Sequence, residues 1–256
     1  MQAFIGEVVG TALLVLFGNG VVANQVLGKT KGNNTGWMLI TTGWGLAVAM
    51  GVYCVARLSG AHLNPAVTLG LWSIGEIQGV IVVPYLTAQM LGAMIGAVLV
   101  WIVYLPHWRE TPDLDSKLGA FCTIPAIRSP LNNLICEIIG TAVLVFGILA
   151  IAANADDMKH GAMDFKTIFS SGIQPLLVGF LVWAIGMSLG GPTGYAINPA
   201  RDLGPRIVHF LLPMPGGKRD SDWGYASIPI IGPIVGGIAG AQAFNLIELL
   251  NTWTAV

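Results

Sequence analysis

The clearest chemical signal in this sequence is the tripeptide Asn-Pro-Ala, which occurs twice. The two copies comprise Asn64, Pro65 and Ala66, and Asn198, Pro199 and Ala200. Asparagine is favoured immediately before a helix, and proline fits the first helical turn because its missing N–H needs no partner there. Each tripeptide therefore predicts a helix start, with the positive end of the helix dipole and an amide N–H donor at the same point. Such a pair favours an uncharged hydroxylic solute or water over a cation or a proton.

Charged side chains that interrupt apolar sequence are the second chemical signal. Arg201 directly follows the second tripeptide, and a guanidinium at membrane depth is costly enough to mark a functional candidate that binds hydroxyl groups and opposes cations. Glu7 and Glu137 are each the single charge of an apolar run, so we expect each to accept backbone N–H groups from a loop; a proton relay is the alternative. Asp202 is either a structural acid in a first helical turn or a substrate contact, and His62 packs a loop or lines a pore mouth.

Metal, cofactor and nucleic-acid chemistry receive no support from the sequence. Cys54, Cys122 and Cys136 lie far apart and match no metal or redox spacing, and no partner is spaced to bind a metal with His62. The net charge of −1 gives no basic footprint for nucleic acid. No nucleophile and base are paired in the motifs, so we expect no metal, no cofactor and no enzymatic activity.

The elements that must position these residues are apolar and long. The sequence is 54% hydrophobic and 10% charged, whereas a soluble domain carries roughly 25% charged residues, so lipid is the expected solvent. Two apolar stretches, 64–74 and 198–212, are too short to cross a bilayer and are interpreted as re-entrant half-helices. Six others have spanning length, and they are 4–24, 36–57, 80–104, 131–153, 171–190 and 227–249.

The chain repeats itself in order. The motif that begins at Glu7 recurs at Glu137, the first Asn-Pro-Ala recurs as the second, and the glycine and alanine pattern of 89–97 recurs at 233–241. We expect one channel domain over 1–256, built from a first repeat over 1–120 and a second over 130–256. Because each half holds three spans, the second half must be inverted, and inverted repeats place a pathway where their discontinuous helices meet. The predicted fold class is an all-α membrane protein with six transmembrane helices plus two re-entrant half-helices.

The two sequences Ser-Gly-Ala-His-Leu-Asn-Pro-Ala-Val-Thr and Gly-Tyr-Ala-Ile-Asn-Pro-Ala-Arg-Asp resemble those of the major intrinsic proteins, the aquaporins and glycerol facilitators. The resemblance covers the whole chain and implies one pore per chain and a homotetramer. It places the selectivity constriction at Trp44, Gly186, Tyr195 and Arg201. Water-selective members typically carry histidine at the position of Gly186 and phenylalanine at that of Trp44, whereas glycine leaves room beside two aromatic faces.

The resemblance implies passive diffusion of glycerol and other small neutral solutes, with water, through this pore. Asp202 resembles the glycerol facilitators. Tyr195 departs from their usual phenylalanine, and its added hydroxyl would either narrow the constriction or bond to a polar solute. A water-selective channel is one alternative, and a channel for urea, dihydroxyacetone or undissociated lactic acid is another. A coupled transporter is a third, which dependence on an ion gradient would reveal.

Orientation gives two conflicting expectations. The resemblance implies a plasma-membrane protein with both termini in the cytoplasm. The positive-inside rule places the termini outside, because one side of the membrane would hold seven cationic residues and the other three. The seven are Lys29, Lys31, Arg109, Lys117, Arg128, Lys218 and Arg219, and the three are Arg57, Lys159 and Lys166. We expect cytoplasmic termini, with the outer loops collecting charge for their own structure.

Overall fold

The computed structural model describes residues 1–155 and 165–254, and the regular structure of this part of the chain is helical. A π-helical turn, Phe169–Ile173, joins α8 to α9. The helices are α1 (Gln2–Val26), α2 (Trp37–Ser59), α3 (Pro65–Ser73), α4 (Gly79–Val103), α5 (Leu105–Arg109), α6 (Leu114–Gly119), α7 (Pro130–Ala153), α8 (Phe165–Ile168), α9 (Gln174–Leu189), α10 (Pro199–Leu211) and α11 (Ile228–Thr254). Lys159, one of the residues in the orientation count, lies outside the described residues.

Six helices are long and apolar enough to cross a membrane, and they coincide with the six predicted spans. They are α1, α2, α4, α7, α11 and the continuous run Phe169–Leu189 that contains α9. The two short stretches form α3 and α10, of nine and 13 residues. At 1.5 Å per residue these reach about 14 and 20 Å, so neither spans the hydrocarbon core. The predicted fold class, six spans plus two half-helices, is confirmed.

Both half-helices begin at the asparagine of the tripeptide. The Asn64 carboxamide oxygen accepts the N–H of Ala66 at 2.8 Å. The Asn198 oxygen accepts the N–H groups of Ala200 and Arg201 at 3.0 and 3.2 Å. In each case proline occupies the first turn, where no N–H is needed. The residues that start the helices therefore also fix the direction of their dipoles.

Glycines let the long helices approach at backbone distance. A Cβ added at Gly96 of α4 would lie 2.5 Å from the carbonyl oxygen of Ala12 in α1. A Cβ added at Gly240 of α11 would lie 2.3 Å from the carbonyl oxygen of Ala142 in α7. In both contacts the obstacle is backbone, which cannot rotate away, so the crossings depend on small residues as expected for helices packed in lipid.

Gly240→Ala should therefore destabilise the protein, because overpacking a rigid contact costs about 1–3 kcal/mol. The matched control is Gly20→Ala in α1, where an added Cβ meets nothing within 4 Å and alanine is the better helix former. Thermal unfolding of the purified protein in detergent should show a lower midpoint for Gly240→Ala and an unchanged or higher one for Gly20→Ala. Equal midpoints would contradict the packing described here.

Candidate functional site

A cavity of about 570 Å³ follows the junction of the two half-helices. Its lining includes Arg57 at one end and Trp44 at the other, both on α2. These residues are 13 positions apart, which corresponds to about 20 Å along a helix. Asn64 and Asn198 line the same cavity, so the structure places the tripeptide asparagines along an elongated path through the bundle.

The two half-helix starts are joined directly to each other. The Asn64 carboxamide nitrogen donates to the carbonyl oxygen of Ile197 at 2.8 Å, and the Asn198 nitrogen donates to the carbonyl oxygen of Leu63 at 2.8 Å. Each amide group carries two N–H donors, so one remains for a solute in the cavity. The reciprocal bonds fix the carboxamides in the orientation that offers this donor.

Glu7 braces the first re-entrant loop from α1. One carboxylate oxygen accepts the hydroxyl of Ser59 and the backbone N–H of His62, at 2.7 and 2.9 Å. The other accepts the N–H of Leu63 and the side-chain amide of Gln89, at 2.7 and 2.8 Å. Glu7 is fully buried, and four donors compensate its desolvation. Two of the four donors are backbone N–H groups of the first re-entrant loop.

Glu137 makes the corresponding contacts from α7. Its two carboxylate oxygens accept the backbone N–H groups of Ala196 and Ile197 at 3.0 and 2.9 Å, and the side chain is 1% exposed. Both loops contain left-handed backbone at non-glycine residues, among them Leu63 (φ +52°) and Tyr195 (φ +37°). Such conformations cost of order 1–3 kcal/mol each and persist only where the surroundings hold them. Hydrogen bonds from the two loops to the carboxylates of Glu7 and Glu137 constrain these conformations.

Three of the four predicted constriction residues line the end of the cavity together. They are Trp44, Tyr195 and Arg201. The guanidinium carbon of Arg201 lies 4.1 Å from the centroid of the Trp44 ring, a stacked cation–π contact. The ring also packs on α1, where a Cβ at Gly18 would come within 2.3 Å of it. The Trp44 ring therefore supports one face of the Arg201 guanidinium. The N–H groups of the guanidinium lie in its own plane, at the edge of the group, where the ring does not cover them.

The structure differs from expectation at Gly186. A Cβ added there would lie 2.8 Å from Cζ and 2.9 Å from the hydroxyl oxygen of Tyr195. The space that glycine leaves is therefore filled by the tyrosine ring, and Gly186 does not line the cavity. The Tyr195 hydroxyl is buried and finds no hydrogen-bond partner among the described residues. Glycine at this position is therefore what leaves room for the tyrosine ring.

His62 and Asp202 have different surroundings. The ring Nδ1 of His62 is 3.0 Å from the hydroxyl of Thr68, and the residue lines the cavity as expected of a pore-mouth side chain. Asp202 is fully buried outside the cavity lining and pairs with Arg206 at 2.8 Å. This favours its interpretation as a structural acid. No group of three metal-binding side chains occurs within the described ranges.

Arg206 and Thr123 bond to Asp202 beside the site, and sequence reasoning did not single them out. Arg206 is fully buried and donates to the carbonyl oxygens of Ser221 and Thr123 at 2.7 and 3.1 Å. The spacing of four residues between Asp202 and Arg206 was the available signal, because it places the two charges on one face of a helix. No pattern in the sequence singled out Thr123, because its partners Asp202 and Arg206 lie 79 and 83 residues further along the chain.

Comparison with known proteins decides the family. The profile of the major intrinsic proteins matches residues 1–244. The chain belongs to the major intrinsic protein family. It is therefore a multi-pass membrane protein.

Relatives in this family match along nearly their whole length. The chain is 58% identical over 245 residues to a "Probable glycerol uptake facilitator protein" of Thermotoga maritima, covering 96% of this chain and 99% of the relative. It is 52% identical over 245 residues to the glycerol uptake facilitator protein of Bacillus subtilis, covering 96% and 84%. The solved aquaglyceroporin of Plasmodium falciparum aligns with a TM-score of 0.78 at 31% identity, covering 97% of this chain and 98% of that one.

The bracing contacts predict a large effect of Glu7→Gln. The new side-chain amide would oppose at least one of the donors that Glu7 now accepts, and each buried donor left unpaired costs about 1–3 kcal/mol. The matched control is Glu76→Gln, an exposed residue at the cavity mouth. Thermal unfolding should show a markedly lower midpoint for Glu7→Gln alone. A midpoint as high as that of Glu76→Gln would show that the carboxylate does not brace the loop.

Proposed function

We propose that this protein is a passive channel for glycerol and other small neutral solutes, with water. The observation that carries the proposal is the cavity in which the two half-helix starts meet across the reciprocal Asn64 and Asn198 bonds. The full-length relatives named as glycerol uptake facilitators support glycerol as the solute. The proposal involves no covalent step and no cofactor.

The lining of the cavity suits an amphipathic solute. Aliphatic side chains, including Val48, Leu144 and Val182, supply an apolar wall for the C–H edge of a polyol. The amides of Asn64 and Asn198 supply hydrogen-bond donors for its hydroxyl groups. A neutral polyol exchanges water for these groups at little cost, whereas a cation loses its hydration without a negative charge to replace it.

Arg201 and the tripeptides act together against cations. Arg201 is 6% exposed and lines the end of the path. The N-termini of α3 and α10 present the positive ends of two helix dipoles at the junction. Both contributions are positive, so a proton or metal cation meets repulsion at two successive points. For a carboxylate-bearing solute the apolar wall favours the neutral, protonated form over the ion.

Stopped-flow light scattering on proteoliposomes tests the proposal. We expect rapid re-swelling after a glycerol gradient is imposed, and rapid shrinkage in sucrose, relative to empty vesicles. Urea and lactate gradients in the same assay distinguish the alternative solutes. Water shrinkage without glycerol entry would make the protein a water-selective channel, and glycerol uptake that requires an ion gradient would make it a coupled transporter.

Gly186→Ala should reduce glycerol permeability by about tenfold, which corresponds to about 1.4 kcal/mol at the barrier. The reason is that the added Cβ displaces the ring of Tyr195 at the constriction. Gly191→Ala is the matched control in the following loop, because a Cβ there meets nothing within 4 Å. Equal glycerol permeability in the two variants would contradict a constriction set by the position of this ring.

We further propose that the channel is a homotetramer in the plasma membrane with both termini in the cytoplasm. Five of the seven cationic residues counted on the opposite side have structural partners, which supports a structural origin for their excess. Lys117 donates to the carbonyl oxygens of Pro215 and Gly217, both at 2.9 Å, and Lys218 donates to carbonyls at the end of α10. Three further cations form ion pairs, and they are Lys29–Glu110, Arg128–Asp222 and Arg219–Asp115.

Two experiments check this arrangement. An N-terminal tag in intact cells should react with an antibody only after the membrane is permeabilised. Labelling without permeabilisation would place the termini outside, as the charge count alone suggests. Native mass spectrometry of the detergent-solubilised protein should give the mass of four chains.

A further inference from the structure

The segment Phe121–Thr123, between α6 and α7, is held from both halves of the molecule. Asn19 of α1 donates its side-chain amide to the carbonyl oxygen of Phe121 at 2.7 Å. Arg206 of α10 donates to the carbonyl oxygen of Thr123 at 3.1 Å. Phe121 is fully buried and Thr123 is 5% exposed. A connecting loop with this degree of burial and bonding behaves as part of the rigid core.

Every hydrogen-bonding group of Thr123 has a partner. Its backbone N–H and its hydroxyl both donate to one carboxylate oxygen of Asp202, at 2.8 and 2.6 Å. The other oxygen of Asp202 accepts Nε of Arg206 at 2.8 Å. The three residues form a closed network with both charges buried, so the orientation of the Thr123 side chain is fixed.

The remaining methyl group of Thr123 faces the constriction loop. A Cβ added at Gly194 would lie 3.3 Å from Cγ2 and 3.5 Å from Cβ of Thr123. Gly194 has φ +81° and Tyr195 has φ +37°, so the backbone at the constriction is in the left-handed region at two successive residues. Thr123 does not line the cavity. It therefore lies behind the loop that carries the tyrosine ring.

We propose that Thr123 is a positioning residue for the constriction, which acts by packing its methyl group, oriented by Asp202 and Arg206, against Gly194. The proposal rests on the proposed function for its effect on solute selection. Glu137 holds the loop on one side of Tyr195 through Ala196 and Ile197. Thr123 supports it on the other side, and the two together determine how far the Tyr195 ring extends toward Arg201.

Two substitutions separate the methyl contact from the hydrogen bond. Thr123→Ser keeps the hydroxyl that donates to Asp202 and removes the methyl group beside Gly194. Thr123→Val keeps the methyl and removes the hydroxyl. The matched control is Thr111→Ser, which makes the same chemical change in another buried threonine. The Thr111 hydroxyl accepts the N–H of Gly28 at 2.9 Å and donates to the carbonyl oxygen of His107 at 2.8 Å.

The first measurement is the ratio of erythritol to glycerol permeability in proteoliposomes. We expect Thr123→Ser to raise this ratio by about threefold or more, since a small change at a barrier alters a rate several-fold. Thr111→Ser should keep the wild-type ratio. Thr123→Val keeps a methyl group beside Gly194 but loses the hydroxyl that orients it, so it should change the ratio less than Thr123→Ser does. An unchanged ratio in Thr123→Ser, or an equal rise in Thr111→Ser, would overturn the proposal.

The second measurement is hydrogen–deuterium exchange, which does not depend on the solute. Amides of 193–197 should exchange faster in Thr123→Ser than in wild type or Thr111→Ser, because the loop has lost its support. Unchanged exchange there would overturn the positioning role even if transport changed. A wild-type protein that conducts no glycerol, combined with faster exchange in Thr123→Ser, would refute the proposed function and leave the positioning role standing.

Discussion

The requirement that buried backbone be hydrogen-bonded governs this structure. Two loops enter the bundle at membrane depth, where an unpaired N–H or C=O costs several kcal/mol because no water replaces its partner. Glu7 and Glu137 accept the N–H groups, while Asn64 and Asn198 each bond a carbonyl of the opposite loop. The loops can then keep left-handed residues whose carbonyls and amides would otherwise be unsatisfied. Because the backbone of both loops is hydrogen-bonded in this way, a few oriented polar groups line the path between them.

Rigidity around the loops makes the path selective. Glycines at the α1–α4 and α7–α11 crossings bring backbones into direct contact, so the carboxylates that brace the loops stand on helices that cannot shift. At the end of the bundle where Arg201 lies, the Asp202–Arg206 pair joins α10 to the connecting segments that contain Thr123 and Ser221. Arg201 stacks on Trp44 in this frame. The polar donors along the cavity are therefore placed before a solute arrives, and little ordering has to occur on passage.

The sequence predicted those features that depend on local chemistry. Asn-Pro-Ala specifies a helix start by its own residues, apolar length specifies a span, and single carboxylates in apolar runs indicated buried acceptors. The features it did not predict depend on side-chain placement between distant segments. Gly186 suggested open space, but the space is taken by Tyr195, whose ring direction follows from a left-handed backbone. Thr123 contacts Asp202 only in the folded protein, because the two residues are 79 positions apart, and no local sequence pattern predicts that contact.

The junction of two positive helix ends passes neutral solutes and rejects protons and other cations. The most direct test is a measurement of proton flux in proteoliposomes that equilibrate glycerol rapidly. The vesicles are loaded with a pH-sensitive dye, and a potassium diffusion potential is then applied across their membrane. If the junction rejects protons, the internal pH follows the potential no faster than in protein-free vesicles. An internal pH that responds rapidly and in proportion to the amount of protein would contradict it, because the junction would then conduct protons.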